Sequence, residues 1–123
     1  CPYSHYHVGA AALLADGQVV TGANQENAAY PSGMCAERCA VFYANSRYPD
    51  SAVVALAIAA SNTPREFLST PITPCGACRQ VLLETQHRFN TPMRILLYGT
   101  SQVLAFDSIN TLLPFQFTGE NMK

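Results

Sequence analysis

The apolar positions of this chain fall into short runs separated by turn-forming residues. Residues 7–15 are small and apolar, Asp16-Gly17 is a turn signal, and residues 18–23 resume a β-like run. This pattern predicts a two-stranded hairpin. Residues 24–33 are polar, end in Pro31-Ser32-Gly33 and read as a loop. Residues 34–46 have helical character with Glu37 and Arg38 in the first turn, and Tyr48-Pro49-Asp50 breaks the run. Residues 52–60 are apolar on both faces, as in a central strand covered by helices. A loop over 61–74 carries Pro64, Pro71 and Pro74. A second helix over 75–87 takes its apolar stripe from Val81, Leu82 and Leu83, and Asn90-Thr91-Pro92 ends it. Strands at 94–98 and 102–106 and a short helix at 109–113 follow. The order β-β-α-β-α-β-β implies an α/β fold, a mixed sheet with helices on its faces.

Composition narrows the class. The 123 residues suit one domain spanning 1–123, with a modest core. Hydrophobic residues make up 49% and charged residues 12%, lean in charge for so small a protein, so part of the apolar surface is expected to meet another subunit. The net charge of −1 and the lack of a basic run argue against a nucleic-acid partner and favour a small, weakly charged substrate. No apolar run reaches membrane-spanning length, so no membrane partner is expected. Five cysteines, three of them in metal-like spacing, favour a reducing cytoplasm over a disulfide framework.

Those cysteines carry the chemistry. Cys35-Ala36-Glu37 and Pro74-Cys75-Gly76-Ala77-Cys78 both stand where a loop enters a helix, so free N–H groups and the positive helix end favour thiolate. Cys75 and Cys78 are three apart and share a helical face. Three thiols leave Zn²⁺ one ligand short of a closed tetrahedron, and Glu37 is placed to move the protons of a water in the open position. Three thiolates also leave zinc with net negative charge, so a donor should withdraw density from sulfur: Arg38 is the first candidate and Arg79 the second. A closed structural zinc site is the bland alternative, with Cys39, His5, His7 or His87 as fourth ligand, but it gives Glu37 no use. Cys39 alone reads as a small core residue, and a Cys75/Cys78 redox pair would leave Cys35 and Glu37 idle. Cys1 is assigned no role.

A first ligand two residues before a glutamate, followed downstream by Pro-Cys-x-x-Cys, is the known signature of zinc deaminases. The chain resembles the cytidine deaminase family, and within it the small homotetrameric three-cysteine branch. Pro2-Tyr3-Ser4, Val8-Gly9-Ala10-Ala11, the run Gly22-Ala23-Asn24-Gln25-Glu26-Asn27-Ala28-Ala29-Tyr30, Cys35-Ala36-Glu37-Arg38, residues 74–80 and Leu112-Leu113-Pro114 carry the likeness. It implies a three-layer α-β-α domain with a five-stranded sheet and helices on both faces. One zinc per subunit would be held by Cys35, Cys75 and Cys78, with Glu37 catalytic. Cytidine and deoxycytidine would be deaminated to uridine and deoxyuridine, in pyrimidine salvage.

The resemblance further implies that Asn24 and Glu26 read the 3′-hydroxyl of the sugar, that Tyr6 packs on the base, and that Ala36 and Tyr30 enclose the substrate. Asn24 and Glu26, two apart on an extended segment, point the same way. Phe117, with Phe115 as the alternative, would reach a neighbouring subunit's site, so active sites would be shared within a homotetramer. The family's helix before Pro-Tyr-Ser is not in this sequence, which would leave part of the sheet uncovered. A related aminonucleoside deaminase and a structural zinc module are the competing readings.

Overall fold

The computed structural model describes residues 1–63 and 66–123, so Pro64 lies outside the described residues. Strand β1 (His7–Leu14) turns through Asp16 and Gly17 into β2 (Val19–Ala23). Gly17 takes φ +91°, a value glycine reaches without steric cost, and Asp16 accepts from the Gln18 N–H and amide. Helix α1 (Ala36–Arg47), strand β3 (Val53–Ser61), helix α2 (Gly76–Phe89) and strands β4 (Arg94–Tyr98) and β5 (Val103–Phe106) follow. The order is the one the apolar runs predict.

The sheet runs β2-β1-β3-β4-β5. Among the described strands, only β3 and β4 pair in parallel, as strands linked through a helix can; the other three pairings are antiparallel. The mixed five-stranded sheet is therefore as anticipated.

Alternation along the strands decides where the core sits. Ala10, Ala12 and Leu14 of β1, Leu56 and Ile58 of β3, and Ile95 and Leu97 of β4 are buried in one cluster. Ala36, Ala40, Val41 and Ala44 of α1 and Leu82 and Leu83 of α2 complete it. Register places Ala10 beside Ile58 and Ile58 beside Leu97, so these residues share one side of the sheet. Both helices lie on that side, each buried leucine contributing about 1.5–3 kcal/mol. Gly22 permits the approach: a Cβ there would stand 2.6 Å from the Ala40 nitrogen and 2.8 Å from the Ala36 oxygen.

The opposite face differs from the expected second helical layer. It presents Gly9, Ala11, Ala57 and Ala59, edged by Phe67 and Tyr98, around an open groove. Phe67 and Tyr98 meet edge to face with ring centroids 5.5 Å apart. No helix covers this face among the described residues. The alanines of β3 register as apolar in sequence whichever side they occupy, so they imitate a strand covered on both sides.

Two further differences are local. The helices begin one residue after Cys35 and Cys75, which act as their N-caps. The second runs to Phe89, where Asn90 ends it in the left-handed region at φ 50°. After a 3₁₀ turn at Ile109–Leu112, the C-terminal segment closes in another at Gly119–Met122, where Thr118 and Asn121 form a capping box.

Candidate active site

The two helix starts converge. The Sγ atoms of Cys35, Cys75 and Cys78 all lie within 4.8 Å of one another, and Cys35 and Cys75 are 3.7 Å apart. Because α1 and α2 pack side by side, residues forty positions apart in sequence reach one point. Three soft donors at this spacing fit the ligand set of a zinc ion with an open position. Among the described residues, no fourth histidine, cysteine or carboxylate joins the group. Cys39, His5, His7 and His87 are therefore not its ligands in this arrangement.

The three sulfurs have different environments. Cys78 is buried, Cys35 is half-buried and Cys75 is exposed. Burial pushes the Cys78 thiol well above the usual range, and the nearby Glu37 charge adds to the rise. Burial acts to raise Cys75, but the N–H and side chain of Cys78, the Cys35 side chain and the Arg38 charge together hold the Cys75 thiol below its ordinary value. The Cys78 N–H lies 3.5 Å from Cys75 Sγ, using one of the free donors of the first helical turn.

Arg38 faces the sulfurs. Its Nη2 lies 3.6 Å from Cys35 Sγ. The hydrogen bond to Cys35 is the main cause of a guanidinium held even more firmly protonated than usual. Its Nε is buried and has no protein partner. Arg79 does not approach the sulfurs, contrary to its candidacy as a donor to them. Its Nε donates to the Pro74 carbonyl at 2.9 Å and its Nη1 to the Leu112 carbonyl at 3.0 Å.

Glu37, in the first turn of α1, is only 4% exposed. It lines a cavity of about 260 Å³ together with Tyr6, Asn24, Cys35, Ala36, Ile72, Thr73 and Cys75. This pocket brings one aromatic ring, one carboxylate and two sulfurs into a common space. Ile72 and Thr73 were not singled out by their sequence. Their position three and two residues before Cys75, in a segment that must return to the metal ligands, is the signal that could have found them.

A neighbouring cavity of about 280 Å³ shares Asn24 and Cys35 and adds Tyr3, Glu26, Asn27, Tyr30 and Arg38. Asn24 and Glu26 both line this cavity, and both hold the N-terminal segment. Asn24 donates to the Tyr6 carbonyl at 2.9 Å and accepts from the Val8 N–H at 3.0 Å and the Cys1 thiol at 3.3 Å. Glu26 accepts from the N–H groups of Tyr3 and Ser4 at 3.1 and 3.3 Å. The Ser4 side chain is the largest influence keeping the Glu26 carboxylate below its usual range, and these two N–H groups add to it.

The remaining predicted residues are peripheral. Tyr30 is 81% exposed at the rim of the outer cavity. Phe117 is exposed and lines neither cavity, and its carbonyl accepts from the Gln80 amide at 2.8 Å. Phe115 is more exposed still, at 94%.

Comparison with known proteins agrees with this geometry. Residues 1–90 match the family model described as the cytidine and deoxycytidylate deaminase zinc-binding region. A cytidine deaminase from Halalkalibacterium halodurans is 44% identical over 98% of this chain and 84% of that protein. Another from Sporosarcina psychrophila is 39% identical over 98% of the chain and 82% of that protein. The crystal structure of a cytidine deaminase from Burkholderia pseudomallei superposes with a TM-score of 0.78 at 36% identity, covering 95% of this chain and 86% of that one.

Proposed function

Because the chain belongs to the cytidine and deoxycytidylate deaminase family, we propose that it catalyses zinc-dependent hydrolytic deamination of cytidine and deoxycytidine, releasing ammonia. The observation that carries this reading is the meeting of three sulfurs within 4.8 Å beside a pocket walled by Glu37 and Tyr6. Cys35, Cys75 and Cys78 would hold the zinc. When bound, zinc supplies Lewis-acid activation of water near neutral pH.

The chain's own residues do the rest. The Glu37 carboxylate takes a proton from water and delivers it to N3 of the cytosine ring, which makes C4 electrophilic. Water oxygen adds at C4, Glu37 carries a second proton to the exocyclic amine, and ammonia leaves. One carboxylate acts as base and then as acid because it lies in the same pocket wall as the metal ligands. Tyr6 offers its ring to the base, and Ala36, fully buried, leaves room beside it. Asn24 and Glu26 face the sugar and read its 3′-hydroxyl, so ribose and deoxyribose are both accepted. Tyr30 closes the outer side.

The exposed rings of Tyr30, Phe42, Tyr43, Phe115 and Phe117 support self-association, and a homotetramer in which Phe117 reaches a neighbouring site is our reading of them. Five free thiols suit a reducing cytoplasm, and no described helix is long and apolar enough to cross a membrane. A place in pyrimidine salvage follows from the proposed products.

Purified protein should hold one zinc per chain and lower the ultraviolet absorbance of cytidine. Glu37→Ala should keep the metal and lose about 10²–10⁴ in kcat from the missing proton transfer. A zinc-loaded parent inert on cytidine and deoxycytidine would end this reading.

A further inference from the structure

We propose that Arg79 is a positioning residue for the metal centre, locking the peptide that presents Cys75 and tying it to the C-terminal segment. Its guanidinium spans two backbone carbonyls that helix hydrogen bonding leaves open. Pro74 O, 2.9 Å from Nε, precedes α2 and lies outside its ladder. Leu112 O, 3.0 Å from Nη1, ends the short 3₁₀ turn at Ile109–Leu112. A helix C-terminus favours a cation, and two N–H groups in a rigid fork can serve two acceptors at once.

The consequence reaches Cys75 through its own backbone. The Arg79 N–H donates to the Cys75 carbonyl at 2.9 Å, and the Arg79 side chain folds back to the carbonyl of the residue before it. Both carbonyls flanking the Cys75 Cα are therefore held by one residue. Cys75 is the exposed ligand of the three and has no packing around its sulfur comparable with that of Cys78. Metal–ligand distances tolerate only about 0.2 Å; the fully buried Pro74 ring packs the near side of the Pro74–Cys75 peptide, and the Arg79 bond to the Pro74 carbonyl is what sets its orientation toward the exposed Cys75. The other arm of the fork fixes where the chain runs toward Leu113 and Pro114. Loosening that segment thus loosens the metal ligand, and the reverse.

This inference rests on the metal-site reading, and the measurements separate the two. Zinc content of the parent tests the site. The difference between parent and variants tests Arg79. Zinc-loaded parent, Arg79→Gln and Arg79→Lys are mixed with a chromogenic chelator, and zinc release is timed while hydrogen exchange is followed over residues 109–114. Arg79→Gln should release zinc about 10–100-fold faster, the range for partners that orient ligands, with faster exchange over 109–114. Arg79→Lys, with a single ammonium in place of the fork, should fall between.

A residue that only stabilised the fold would lower the melting temperature and leave release from folded protein at the parent rate, which overturns the proposal. Faster release with unchanged exchange over 109–114 overturns the link to the C-terminal segment. If Arg79→Gln does not fold, Arg79→Lys decides: parent-like release and exchange overturn the proposal, and faster values of both support it.

Discussion

The Arg38 guanidinium stands 3.6 Å from the sulfur of Cys35, three residues before it at the N-cap of α1. A three-thiolate site is rich in negative charge, and this contact withdraws some of it. Arg38→Gln removes the cation and keeps a donor of similar reach. We expect kcat on cytidine to fall about 10–100-fold, the usual effect of losing a partner to a metal ligand. Parallel zinc titration should show weaker retention. Parent-like kcat and metal affinity would mean that the cluster tolerates its charge unaided.

Metal removal should expose unequal thiols. In zinc-free protein Cys75 is exposed with its pKa lowered, whereas Cys78 is buried with its pKa raised. Iodoacetamide at neutral pH should therefore label Cys75 first and Cys78 last, as mass mapping would read. Zinc should protect both. Since Cys78 must lose its proton to bind metal, zinc affinity should weaken as pH falls. Faster labelling of Cys78 than of Cys75 would contradict the environments described.

Much of this site was legible because its parts are local. A cysteine two residues before a glutamate and a Cys-x-x-Cys pair at a helix start constrain each other through helical geometry alone. The order of strands and helices along the chain was legible for the same reason, whereas the sheet order β2-β1-β3-β4-β5 rests on distant pairings that no local pattern encodes. What stayed hidden depends on long separations or on residues too small to carry a pattern. Arg79 reaches Leu112 across 33 positions and Asn24 reaches Tyr6 across 18, and no periodicity encodes either contact. The alternating alanines of β3 could not reveal that, among the described residues, no helix covers one face of the sheet. The closing 3₁₀ turn depends on Thr118 and Asn121 side chains meeting backbone, which a polar tail does not announce.

Glu26 gives the N-terminal segment a pH dependence. Its carboxylate has a lowered pKa while it holds the N–H groups of Tyr3 and Ser4. A carboxylate depressed in the folded state stabilises above its unfolded pKa, and that contribution is lost as pH falls through the folded one. Amide exchange at Tyr3 and Ser4, corrected for its intrinsic pH dependence, should therefore accelerate in acid, below the ordinary carboxylate range. Glu26→Gln, which keeps an acceptor oxygen but cannot ionise, should lose this acid dependence. A flat profile in the parent would show that the contact does not order this segment.

Asn24 carries two duties through one amide. Its carbonyl oxygen accepts from the Val8 N–H and its nitrogen donates to the Tyr6 carbonyl, so it holds the stretch that puts Tyr6 in the pocket wall. The second amide hydrogen remains for a sugar hydroxyl. Asn24→Asp keeps the acceptor for Val8 but sets a carboxylate against the Tyr6 carbonyl. A lost hydrogen bond that leaves a buried partner unsatisfied costs about 1–3 kcal/mol, roughly 5–150-fold in an equilibrium constant. We expect KM for cytidine to rise within that range and exchange over residues 6–8 to quicken together. If Asn24 served the sugar alone, KM would rise with exchange unchanged. If it served the strand alone, free cytosine and cytidine would lose equally. The two-duty account therefore requires a larger loss for cytidine than for cytosine in the same variant, with the strand loosened in both.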